Sequence, residues 1–303
     1  MSILLVFCLL LIVLLLYARS RPAPWSALRL SQTPSPMVIA HGNDCGNGLY
    51  PGNTILYLQK MVALGVDGIE ADLWLTADGH LVLLHDPDLE DSADGSGYVE
   101  NMTLAQLREL NVAYHWSPDG ENYPYREHPL KIITIEEALE SVGNTLMILE
   151  LKSAKYSAAE ALSEVIQSTG KQDQVIVSSF HHGVVRAFRR LSPNVATGAV
   201  SWEAALLYFA QLIRAESLLA PHYQTMQLPM FHLGLDVVTA GTLRAAHKLN
   251  LHISVWTVNS RADLQHYIDL GVDGIVTDRP DILMAMLSNR ESGVTPKLLS
   301  QNS

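Results

Sequence analysis

Leu64–Trp74 reads LGVDGIEADLW, and a near copy, LGVDGIVTDRP, returns at Leu270–Pro280. Both copies have the grammar of a helix-to-strand connection. Leu-Gly closes a helix, because Gly65 and Gly271 can adopt the left-handed conformation that commonly ends one. Gly68 and Gly274 then open a strand and let it start close to the preceding helix. The copies part after the shared Ile. The first continues Glu70-Ala71-Asp72, the second Val276-Thr277-Asp278. The shared phrase is therefore read as scaffold, and function is expected in the residues just after it.

Outward from these two phrases the chain alternates strand-like and helix-like segments. Strands are predicted at Met37–Ala40, Gly68–Leu73, Leu81–Leu84, Met147–Leu151, Gln174–Ser179, Thr197–Val200, Phe231–Val238, Ile253–Val258 and Gly274–Thr277. Helices are predicted at Asn53–Leu64, Thr103–Leu110, Thr134–Val142, Ala158–Ser168, from His181-His182 to Leu191, and over Ala204–Leu219, of which Leu206–Leu219 is read as core packing, with a membrane-facing helix as the alternative. Alternation of this kind implies a parallel sheet, and strands apolar along most of their length are covered on both faces. About eight units in about 250 residues fit an α/β fold of the (β/α)₈ TIM-barrel type. An open doubly wound sheet is the rival, but Gly46-Asn47-Gly48 lacks the third glycine of a dinucleotide-binding loop.

The barrel is expected over residues 37–290. Before it, Ile3–Tyr17 is apolar and uncharged, with Arg19 and Arg21 behind it. Counted from Met1, this run reaches the lower limit of a spanning helix, about 17 residues. The expectation is one transmembrane anchor in residues 1–20, a linker over 21–36 and a polar tail over 291–303. A cleaved signal peptide is the alternative, although Met1-Ser2 supplies no basic start. Basic residues after the helix put the barrel on the cytoplasmic side of a single-pass protein. A net charge of −11 argues against a nucleic-acid partner, which wants a basic face. It leaves an anionic substrate open, because a bound metal reverses the local sign. The two cysteines, Cys8 and Cys45, are not expected to pair, since Cys8 lies in the apolar run.

Active sites of such barrels sit at the C-terminal ends of the strands. Glu70 and Asp72 are two residues apart on a strand and so share a face. Two carboxylates together in a dry barrel repel and resist desolvation, and a divalent cation removes both problems. Glu150 ends another strand, with Lys152 on the same face, a pairing suited to a metal and a phosphate held together. His41 and His85 each follow a strand, so one imidazole can accept a proton while the other donates one.

Taken in order, Ile39-Ala40-His41, Asn53-Thr54, Gly68–Asp72, Thr76–Gly79, His85-Asp86-Pro87, Leu149–Lys152, Ser179-Phe180, Val255–Asn259 and Thr277–Pro280 resemble the glycerophosphodiester phosphodiesterase family, within the phospholipase C-like phosphodiesterases. The resemblance spans Val38 to about Leu283. It implies a TIM barrel that splits glycerophosphodiesters into glycerol 3-phosphate and an alcohol. It implies that Glu70, Asp72 and Glu150 hold Ca²⁺ or Mg²⁺, that His41 and His85 are the acid–base pair, and that Lys152 faces the phosphate. It also implies attack by a substrate glycerol hydroxyl on its own phosphorus, giving a cyclic phosphate that water opens. Trp256 is expected to line the substrate pocket, with a core aromatic near a strand end as the alternative reading. Asp278 and Asn259 are read as loop fasteners, and Arg186, Arg189 and Arg190 as a solvated helix face.

The sequence departs from the family pattern twice in the first loop. His41 is followed by Gly42, where the family has an Arg that touches phosphate. Gly52 precedes Asn53-Thr54, where the family has Glu. Asn43 or Asp44 is a candidate substitute. Two further readings stand beside the phosphodiesterase: a membrane lysophospholipid substrate stripped of its headgroup, which the anchor favours, and a barrel that binds without turnover.

Overall fold

The computed structural model describes residues 36–42 and 48–291. The expected anchor, the linker up to residue 35, residues 43–47 with Asn43, Asp44 and Cys45, and the tail from residue 292 lie outside the described residues. Among the described residues no helix is long and apolar enough to cross a membrane.

Eight parallel strands form the barrel. They are β1 (Met37–Ala40), β2 (Gly68–Leu75), β4 (Leu146–Leu151), β5 (Val175–Ser178), β6 (Ala196–Thr197), β7 (Thr225–Pro229), β10 (His252–Trp256) and β11 (Gly274–Thr277). Neighbours run β6-β5-β4-β2-β1-β11-β10-β7. A parallel bridge between Gly198 and Thr225 closes β6 onto β7, so the sheet has no open edge there. Helices between the strands, such as Ile55–Leu64, Tyr156–Thr169 and Arg261–Leu270, cover the outside.

Strand parity sorts the core into two layers. Met37, Ile39, Leu146, Ile148, Ile176, Ala196 and Val276 pack together as the barrel floor. Their alternates, including Val38, Ala40, Ile69, Ala71, Met147 and Leu149, pack outward against the helices. Glu70, Asp72 and Glu150 have the inward parity and stand above the floor.

Both copies of the repeated phrase connect a helix to a barrel strand. Gly65 and Gly271 cap their helices at φ 88° and 80°. The aspartate of the phrase has a use of its own. Asp67 and Asp273 each accept, through Oδ2, the backbone N–H of the neighbouring strand, from Val38 and Ile253, both at 2.8 Å. Gly274 opens its strand for a different reason from the one expected. A Cβ there would lie 2.8 Å from Ser254 Oγ and 3.0 Å from Ile39 Cδ1, inside the filled barrel floor rather than against the preceding helix.

Four segments differ from expectation. Leu81–Leu83 (β3) is not a barrel strand: the turn at Thr76–Gly79, with Gly79 at φ 90°, reverses the chain and pairs it antiparallel with β2. The sixth barrel strand is Thr225–Pro229, not Phe231–Val238. The latter region forms a small hairpin, β8 (Phe231–His232) with β9 (Leu235–Asp236), joined at Leu233-Gly234. The helix expected over Ala204–Leu219 runs Ser201–Leu212 and stops before Arg214, whose φ of 55° cannot continue a helix. Leu207 and Ala210 on it are buried, but Leu206, Phe209 and Leu212 face out. The helix at Leu104–Leu107 is shorter than expected, because Asn111 is drawn into bonds with Asp94, Tyr125 and Leu130.

Candidate active site

Three carboxylates converge at the C-terminal rim of β2 and β4. Asp72 and Glu150 are direct register partners, and Glu70 stands two residues earlier on the same face. One oxygen of each lies within 4.8 Å of the other two. Lys152 follows β4, and its Nζ sits 3.1 Å from both Asp72 Oδ1 and Glu150 Oε1. The two negative neighbours outweigh the burial that opposes its charge and hold the ammonium well above the usual lysine range.

His41 ends β1, which pairs with β11 in the register Ala40 with Thr277. The next residues along, His41 and Asp278, therefore stand side by side. His41 Nδ1 lies 2.7 Å from Asp278 Oδ1, and Asn259 Nδ2 donates to the other carboxylate oxygen at 2.6 Å. That leaves His41 Nε2 toward the cluster, 3.9 Å from Glu70 Oε2. Burial pulls the imidazole's pKa down. Asp278 and Glu70 outweigh it and raise the value to about 9. Asp278, expected only to fasten its loop, also orients the histidine. The pairing of first and last strands in a closed barrel is the signal that could have found this.

His85 arrives by a route the sequence did not suggest. Because β3 is antiparallel, its C-terminal end returns toward the barrel rim, where Leu84 N donates to Asp72 O at 3.1 Å. His85 then faces the same cavity as His41, Glu70, Asp72, Glu150 and Lys152. Asp86 stands 3.1 Å from its Nδ1.

Gly42 accounts for the missing arginine. A Cβ at this position would come 2.6 Å from Glu70 O and 3.1 Å from Asn53 Oδ1, so no side chain fits on this backbone. The space is used by bonds instead. Gly42 N donates to Glu70 Oε2 at 3.1 Å, and Asn53 Nδ2 donates to Gly42 O at 2.7 Å. Asn53 sits at φ 53°, a left-handed conformation that asparagine tolerates. Its side chain also bridges to Asp72.

The cluster crowds more carboxyl groups than cationic side chains. Burial raises Glu70 to about 8, with Asp72 and Glu150 adding to the shift and His41 opposing it. Glu150 is raised by burial as well, against the pull of Lys152. Four carboxylates, Glu70, Asp72, Glu150 and Asp278, face two cationic side chains, Lys152 and protonated His41. Hard oxygen donors crowded together with too little positive charge beside them fit a divalent cation such as Ca²⁺ or Mg²⁺, which would hold them in their ionised forms.

From the cluster the cavity, about 740 Å³, extends toward the helix Ser201–Leu212 and the β8–β9 hairpin. Trp256 borders it, with Phe180 edge-on at 6.5 Å between ring centroids. Arg189 departs from the solvated face assigned to it: its guanidinium makes two bonds to Glu203, at 2.7 and 2.9 Å, and fastens the start of that helix.

Comparison with known proteins gives the same family as the motifs. Residues 46–282 match the Glycerophosphoryl diester phosphodiesterase family. A glycerophosphodiester phosphodiesterase of Caldanaerobacter subterraneus is 30% identical over 256 residues, covering 83% of this chain and 97% of the relative. One from Bacillus altitudinis is 30% identical over 251 residues, covering 80% and 95%. The fold matches the glycerophosphoryl diester phosphodiesterase domain of a Mycobacterium tuberculosis protein with a TM-score of 0.72 at 22% identity, covering 84% of this chain and 100% of that one. It also matches an Oleispira antarctica phosphodiesterase in complex with its product sn-glycerol-3-phosphate, with a TM-score of 0.67 at 23% identity, covering 86% and 99%. By this match over most of its length, the chain belongs to the glycerophosphoryl diester phosphodiesterase family.

Proposed function

We propose that this protein is a divalent-metal-dependent phosphodiesterase that hydrolyses glycerophosphodiesters to glycerol 3-phosphate and an alcohol. The observation that carries it is one cavity at the barrel mouth that gathers three carboxylates, Lys152 and two imidazoles. Glu70, Asp72 and Glu150 are the proposed metal ligands. The cation would neutralise charge on the phosphoryl oxygens and position the phosphate.

The remaining roles fall to the chain's own groups. Lys152 adds a second positive charge beside the phosphate. His41 and His85 divide the proton transfers. When the substrate's glycerol hydroxyl bonds to phosphorus and the ester bond to the alcohol breaks, one imidazole takes the hydroxyl proton. The other protonates the departing oxygen. Water then opens the cyclic phosphate with the roles exchanged. Asp278 keeps the His41 ring turned so that Nε2 faces the reacting atoms. An internal nucleophile gains from proximity, which reduces what the protein has to supply.

A second reading, removal of the headgroup from a lysophospholipid, is favoured by the far end of the cavity. Val200, Ala204, Tyr208, Phe209 and Leu228 line it, which is more apolar surface than a glycerophosphodiester headgroup needs. We further propose that Ile3–Tyr17 spans a membrane once, with Arg19 and Arg21 and the barrel on the cytoplasmic side.

Incubating the full chain with glycerophosphocholine or lysophosphatidylcholine, with and without chelator, tests the function. Glycerol 3-phosphate from the first substrate, lost on chelation, is the expected result, and lysophosphatidate from the second adds the lipid reading. Release of phosphocholine, or no product from either, contradicts the assignment. Protease digestion of sealed vesicles carrying the full chain tests the topology. A barrel degraded only after the cytoplasmic face is opened is expected, and a barrel digested from the other face contradicts it.

A further inference from the structure

Twelve large apolar side chains are exposed among the described residues, and nine of them lie on one flank. They come from three segments: Phe180, the helix Ser201–Leu212 with Ile213 after it, and the β8–β9 hairpin. Phe180, Phe209, Leu233 and Leu235 also border the catalytic cavity, so the apolar flank is the rim of the site's mouth. Scattered exposed apolar residues need no explanation, but a contiguous patch marks a binding surface.

The hairpin tip is the sharpest part of this rim. Leu233 and Gly234 form a two-residue turn at φ 51° and 76°. Asn, Asp or Gly is the usual choice for the first position of such a turn. Leu233 occupies it instead and is 89% exposed. A leucine there carries a strained backbone and bare apolar surface together.

The rim is also nearly uncharged on a chain of net charge −11. Within Ser201–Leu212 the only charged residue is Glu203, which is buried against Arg189. Within the hairpin it is Asp236. Aliphatic tips mixed with Trp202, Tyr208 and His232, followed by Arg214, are the composition of elements that lie in the headgroup region of a bilayer.

We infer that this rim is a docking surface for a lipid bilayer, with the hairpin tip and the outer face of Ser201–Leu212 seated among the headgroups and acyl ends. The cavity then opens onto the lipid surface. A protein partner seated on the same rim would close that opening. The chain has a second element of bilayer chemistry in the uncharged run Ile3–Tyr17. The residues between Tyr17 and Met37 can reach about 60 Å when extended. That exceeds the length of any barrel strand, about 26 Å for the eight residues of β2. One membrane can therefore hold the N-terminal run and the rim together, although β1 starts at the opposite end of the barrel.

The test places a fluorescent label on Leu233→Cys in the full chain, with Cys8 and Cys45 changed to Ser, reconstituted in phosphatidylcholine vesicles. A second label site, Glu140→Cys, is exposed near the end of the helix Ile135–Ser141, a few residues before β4 starts at Leu146. Each is read with aqueous iodide and with a nitroxide carried on the lipid chains. The inference expects the lipid-borne quencher to act on the label at 233 and not on the label at 140. Quenching at 233 by iodide alone overturns it, because the rim then faces water. Quenching by neither overturns it too, because protein then covers the rim, whether a second copy or the chain's own apolar run. Phe231→Glu with Ile213→Glu, two exposed residues that do not border the cavity, should reduce lipid quenching at 233 severalfold. Hydrolysis of glycerophosphocholine should stay within about twofold of the parent. Unchanged lipid quenching in this variant contradicts the inference. None of the quenching depends on turnover, so a failed docking surface and a failed enzyme assignment are read separately.

Discussion

The two copies of Leu-Gly-Val-Asp-Gly-Ile are built alike and used differently. In both, a left-handed glycine ends a helix and an aspartate ties the new strand to the start of its neighbour. Beyond the shared isoleucine, the inward positions of the first copy are Glu70 and Asp72, and those of the second are Val276 and Asp278. The first copy supplies two of the three clustered carboxylates. The second supplies a floor residue, Val276, and then an aspartate that orients His41. Identical connection grammar thus fixes where a strand begins, while the residues of one parity above the floor decide its chemistry.

The strongest way to break this comparison is to remove charge from the first copy. Glu70→Gln should lower turnover by about 10³-fold or more, the scale of losing a preorganised charge at a reacting centre. Its melting temperature should hold, since a buried carboxylate raised to about 8 is relieved by neutralisation. Kinetics and thermal unfolding on the same preparation check both parts.

Removing the acid–base pair comes next. His41→Ala or His85→Ala should cost about 10²-fold or more in kcat. Asp278→Asn should cost less and shift the pH–rate profile. Loss of the carboxylate beside Nδ1 removes a cause of the raised His41 value of about 9, so the limb that reports it should move to lower pH. A profile that stays in place would show that Asp278 only fastens its loop.

A smaller effect separates the strand-opening glycines. Gly274→Ala puts a methyl 2.8 Å from Ser254 Oγ and 3.0 Å from Ile39 Cδ1. Overpacking of this kind costs about 1–3 kcal/mol. Gly68→Ala meets its nearest neighbours at 3.6 and 3.7 Å, ordinary contact, and should be milder. Denaturant unfolding of both checks the difference. The smallest contrast is between the helix-ending glycines. Gly65→Ala and Gly271→Ala share the same backbone strain, about 1–2 kcal/mol, and should agree within error because both stand at nearly the same φ.

The barrel was legible because its connections repeat. Helix ends and strand starts announce themselves through Leu-Gly and Gly-Ile, and closure follows once eight units are counted. The inward carboxylates were legible for the same reason, since i and i+2 on a strand share a face. Thr225–Pro229 was missed because Gln227 and Pro229 break its apolar pattern, and the apolar run just after it drew the assignment. The reversal of Leu81–Leu83 was missed because a short apolar run carries no mark of its direction. Contacts made across the barrel were hardest to see. The tight packing of Gly42 on the Glu70 carbonyl depends on two distant segments meeting, and no local pattern encodes it.

Metal titration by calorimetry on chelator-stripped protein tests the division between the two copies most directly. The parent chain should bind one equivalent of Ca²⁺ or Mg²⁺. Asp72→Asn, in the first copy, should lose that binding, and Asp278→Asn, in the second, should keep it. Turnover of glycerophosphocholine should vanish on stripping and return with the metal. Binding that survives in Asp72→Asn, or full turnover in the stripped parent, would contradict a metal site built by Glu70, Asp72 and Glu150.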